Sequence, residues 1–124
     1  MSSLLRAHAE HEAAHAILAA HFGLKVVEIR LNPPATSYTL YESGGISLQQ
    51  CAISAGGDLW AREFSALPYT DLACGDLIDI EREHGLSAIW GAERLARQVL
   101  AANSRAVLSL AERLTADRVI TFEG

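Results

Sequence analysis

His11-Glu12-Ala13-Ala14-His15 is the stretch of this 124-residue chain whose residue types and spacing could do chemistry. On a helix, positions i and i+4 share a face about one turn apart, so both imidazoles project to the same side. At that separation two ring nitrogens can bind one tetrahedral Zn²⁺, while Glu12 is placed to take a proton from a metal-bound water without being a ligand. The competing reading is a chance match on a half-exposed helix, with all three side chains facing water.

The flanking residues favour the first reading. From Ala7 to Leu24 there is no proline, and no glycine before Gly23. Ala13, Ala14, Ile17, Leu18, Ala19 and Ala20 make the helix apolar round most of its circumference, as in a buried helix. Burying a carboxylate and two imidazoles without partners is costly, and a divalent cation would satisfy all three.

A zinc site that activates water needs a third protein ligand. No histidine follows at the close downstream spacing of metzincin-type sites. The candidates cluster at Asp71, Asp76, Asp79, Glu81, Glu83 and His84. Asp76, Asp79 and Glu83 share a helical face at i, i+3 and i+7, but an acidic face is ordinarily solvated surface. Spacing does not choose among them. His8, Arg6, Arg94 and Arg97 read as solvated surface, and His21 as a cation near a helix C-terminus.

The elements that must position these groups follow from pattern and punctuation. Ser2 or Ser3 can cap a first helix over Leu4–Phe22, stopped by Gly23. Lys25 to Leu31 is rich in β-branched residues and reads as a strand ended by Asn32-Pro33-Pro34. Ser37, Tyr38, Thr39, Leu40 and Tyr41 have strand composition and are expected to pair back as an edge strand. That strand either holds an extended peptide through backbone hydrogen bonds or simply closes a hairpin. A helix over Ile46–Ser65 contains Gly56-Gly57, which cost about 1 kcal/mol each relative to alanine. They mark either a close approach to the opening helix or a kink. Thr70 or Asp71 caps a further helix to about His84. A last helical stretch, Ser87–Thr115, has a potential break near Asn103-Ser104, and Arg118–Phe122 reads as a short strand or tail.

One domain spanning residues 1–124 is expected, since the length suits a single core. Half the residues are hydrophobic and 20% charged, which excludes a disordered composition. A net charge of −5 without a Lys/Arg cluster gives no footprint for nucleic acid. No signal peptide or membrane-spanning run is evident. Cys51 and Cys74 are far apart and read as reduced thiols, so a cytoplasmic location is expected. Trp60 and Trp90 suit the core or a homo-oligomer contact.

His11 to Ala16, H-E-A-A-H-A, resembles the H-E-A-G-H-A of the peptidase domain of FtsH-type ATP-dependent zinc metalloproteases. The order of later features is similar: a strand pair, a helix with Gly56-Gly57, then Ala73-Cys74-Gly75-Asp76-Leu77, which resembles the family's small-x-Asn-Asp-Leu segment. Val99 to Asn103 and Leu108 to Leu114 are similar to its C-terminal helices. The resemblance implies His11, His15 and Asp76 as zinc ligands and Glu12 as general base. The sequence departs from the family at Ala14, at Leu59-Trp60-Ala61 after the glycine pair, and in lacking the threonine usual soon after Asp-Leu. The expected fold is α+β, mainly α, with the H-E-x-x-H helix central, a small β-hairpin and three or more further helices. The expected function is zinc-dependent hydrolysis of short or unstructured peptides by a stand-alone domain without ATPase or membrane segments, served where needed by a separate unfoldase. The alternative is a catalytically silent interaction module that keeps the fold.

Overall fold

The computed structural model describes residues 3–32, 37–68 and 85–122. Helix α1 spans Ser3–His21 and ends as the glycine predicts. Gly23 takes φ +79°, its N–H bonds the Ala20 carbonyl at 3.0 Å, and the Leu24 N–H bonds that of Ala19 at 2.9 Å. This pair of bonds satisfies carbonyls the helix itself leaves open and turns the chain back sharply.

Strand β1, Val26–Arg30, follows at once and pairs antiparallel with β2, Tyr38–Tyr41. A register shift between Val26 and Glu28 places an extra residue, Val27, in β1; its carbonyl accepts the Phe122 N–H at 3.0 Å. Helix α2 spans Ser47–Glu63 and runs unbroken through both glycines. Helix α3, Leu86–Ala102, is separated from α4, Ser104–Asp117, by Asn103, whose side-chain amide donates to the Val99 carbonyl at 2.8 Å. Strand β3, Val119–Thr121, then pairs antiparallel with the other side of β1. The expected hairpin is therefore part of a three-stranded antiparallel sheet, ordered β2-β1-β3.

Helix α1 is central, packing on α2, α3, α4, β1 and β2. Ala9, Ala13, Leu18 and Ala19 are fully enclosed, against Ile53, Leu59 and Trp60 from α2 and Val107, Ala111 and Leu114 from α4. Ile29 and Ile120 close the core from the sheet. Small side chains on α1 let several elements approach one helix, which is why alanine dominates it. The protein is thus mainly helical, with a small sheet on one side. Among the described residues no helix is long and apolar enough to cross a membrane.

Candidate metal centre

His11 and His15 meet as their spacing predicts. Their Nε2 atoms lie 3.0 Å apart, with the rings nearly perpendicular at 84°. Two nitrogens each roughly 2.0–2.1 Å from one tetrahedral ion sit about 3.3–3.4 Å apart, within a few tenths of an ångström of this hydrogen-bond contact. The pair fits a shared divalent cation on that count.

A backbone contact of His15 strengthens the fit. His15 Nδ1 is 2.6 Å from the Ile53 carbonyl oxygen. A carbonyl can only accept, so the proton sits on Nδ1 and His15 Nε2 presents a lone pair toward His11. Orienting a ligating histidine through its other nitrogen is how metal sites fix tautomer and ring plane.

Helix α2 makes room for this arrangement with bare backbone. A Cβ built on Gly57 would overlap the His11 ring, 2.5 Å from Nδ1 and 2.7 Å from Nε2; one on Gly56 would overlap the Cδ1 of Leu18. Close approach of α2 to α1, and not a kink, is what the glycine pair permits. Gly57 is thus part of the site, although it carries no functional group.

Glu12 is 6% exposed, and its Oε1 accepts the Thr39 hydroxyl at 2.8 Å. The same hydroxyl lies 2.9 Å from the Glu12 backbone oxygen. Beside these groups opens a cleft of about 330 Å³, with His11, Glu12 and His15 on one wall and Ser37, Tyr38, Thr39 and Tyr41 opposite; Ser54 of α2 contributes to the lining. Of the five residues expected along the edge strand, four line the cleft. Leu40, 52% exposed, lies outside the lining.

Asp71, Asp76, Asp79, Glu81, Glu83 and His84, with Cys74, lie outside the described residues. Among the described residues no three His, Cys, Asp or Glu side chains gather into a group able to hold an ion.

Several residues have roles that sequence reading misses. His8, expected in solvent, is 5% exposed. Glu10, equally buried, accepts the Trp60 indole N–H at 2.7 Å, the Ser65 hydroxyl at 2.8 Å and Arg6 Nε at 3.0 Å. A carboxylate with three donors can be buried without an unpaired charge. It ties α1 to α2 immediately beside His11, and it gives Arg6 a partner where bare surface was expected. Trp60 is accordingly core, whereas Trp90 is 67% exposed. The chain matches no protein family model, curated protein or solved structure.

Proposed function

We propose that this chain is a zinc-dependent hydrolase of peptide bonds in short or unstructured peptides. The observation that carries the reading is the convergence of the two Nε2 atoms at 3.0 Å, with the Ile53 carbonyl holding the tautomer of one of them. His11 and His15 would hold the ion, with Asp76, or Asp79 or Glu83 in its place, as the acidic third ligand. When bound, zinc lowers the pKa of its water to about 7 and polarises the scissile carbonyl.

Glu12 stands at the cleft wall next to both imidazoles, where its carboxylate takes a proton from the attacking water and delivers it to the leaving amine. Strand β2 is at the sheet edge and borders the same cleft, so an extended peptide can lie against it through backbone hydrogen bonds. Such binding has little sequence preference and requires an unfolded substrate, supplied directly or by a separate unfoldase.

The test pairs elemental analysis with a single variant. Untagged protein is expected to contain one zinc per chain, and Glu12→Gln to keep the metal while losing about 10²–10⁴-fold in cleavage of unstructured peptides. No cleavage by either protein with zinc in place would leave the chain as a non-catalytic module, and equal cleavage by both would remove Glu12 as the base. A chain that binds no zinc overturns the hydrolase.

A further inference from the structure

We propose that Thr39 is a positioning residue that fixes the carboxylate of Glu12 for proton transfer, an inference that rests on reading Glu12 as the base. Its hydroxyl lies within hydrogen-bond distance of two acceptors on the same residue, Oε1 at 2.8 Å and the main-chain oxygen at 2.9 Å. A hydroxyl has one proton to donate. The main-chain oxygen of Glu12 is an acceptor within the α1 ladder, so the carboxylate has the greater need of the Thr39 proton.

The consequence is an asymmetric carboxylate. Oε1 is tethered to β2, while Oε2 has no hydrogen-bond partner among the described residues and is the oxygen left for water. A glutamate has three side-chain torsions, and ordering them costs conformational entropy. The tether from β2 supplies that ordering before substrate arrives, which is where positioning contributes to rate. It also couples the two walls of the cleft: the strand proposed to align the peptide is the strand that holds the base.

The experiment compares Thr39→Val, which keeps shape and removes the donor, with Thr39→Ser, which keeps the donor. Expected for Thr39→Val is a fall in kcat of about 10-fold with KM within about 2-fold and zinc content unchanged, and for Thr39→Ser a return to within about 3-fold of wild type. A second readout needs no turnover. If the hydroxyl serves the carboxylate, the Tm shift caused by Thr39→Val is smaller by about 2–4 °C in a Glu12→Ala background than in wild type. If it serves only the main-chain oxygen, the shift is the same in both backgrounds and the proposal is overturned. Full activity of Thr39→Val beside an inactive Glu12→Gln overturns it too, leaving the peptidase reading intact. An inactive wild type defeats that reading, and the positioning role falls with it.

Discussion

Gly57 shows how much of the site is made by what a residue lacks. The imidazole it would meet is rigid, 4% exposed and engaged with His15, so it has nowhere to retreat. Gly57→Ala is therefore expected to destabilise the fold by about 1–3 kcal/mol through overpacking. It should also weaken zinc binding at least 10-fold, because the His11 Nε2 must leave its place beside His15. Gly56→Ala is the control. Its Cβ overlaps the Cδ1 of Leu18, which is fully buried, so it is expected to destabilise the fold as well, but it leaves the His11 ring clear. Urea unfolding with chelator-competition titration should show a metal defect in the first variant alone; equal zinc affinity in both would remove Gly57 from the site. The adjacent glycines were legible as a packing signal because two in one helix need compensation. Which ring they seat was not, since that depends on where α2 crosses α1. The Ile53 carbonyl was equally hidden: every residue has one.

Arg118 decides how the last helix becomes the last strand. It takes φ +67°, unfavourable for a residue with a Cβ, bonds the Leu114 carbonyl through its N–H at 2.8 Å, and offers its own carbonyl to the Leu31 N–H at 2.8 Å. The left-handed turn aims Val119–Thr121 along β1. Its side chain is exposed, so Arg118→Gly removes strain without removing packing and is expected to stabilise the protein by about 0.5–1 kcal/mol. Arg118→Ala should leave urea stability unchanged, and a loss of stability with glycine would show that the turn is not strained. Element types were otherwise readable from local pattern: the stop at Gly23, the strand before Asn32 and the break at Asn103 all depend on nearby residues. The partner of the C-terminal strand was not readable, because three residues carry too little periodicity to specify a distant neighbour. That pairing has a functional consequence. With β3 on the far side of β1, β2 is the sheet edge that borders the cleft beside His11 and His15.

At the scale of the whole molecule, the outer faces of α2 and α3 are joined by charge. Arg97 of α3 grips Glu63 at the end of α2 through two bonds of 2.7 Å, and Arg62 links Asp58, 2.7 Å away, to Glu93. These pairs hold together the two helices that precede and follow residues 69–84 in the chain. The hydrogen bonds from Arg97 keep the Glu63 carboxyl below the usual carboxylate range, outweighing the opposing effect of burial. A depressed folded pKa means that the stabilisation is complete above the unfolded value, about 4.3, and disappears as pH falls through the lower folded value. Arg97→Ala is therefore expected to be less stable than wild type at pH 7, with the gap narrowing at pH 3. The Glu63 side chain is 34% exposed and that of Arg97 46%, so solvent screening keeps the difference at pH 7 small. Salt at 0.5 M should narrow it further, because exposed pairs are screened within a Debye length. Urea titrations of both proteins at the two pH values decide the matter. A gap that persists undiminished at pH 3 would mean that Arg97 contributes through the packing of its aliphatic stem, and that the join between α2 and α3 is apolar and not electrostatic.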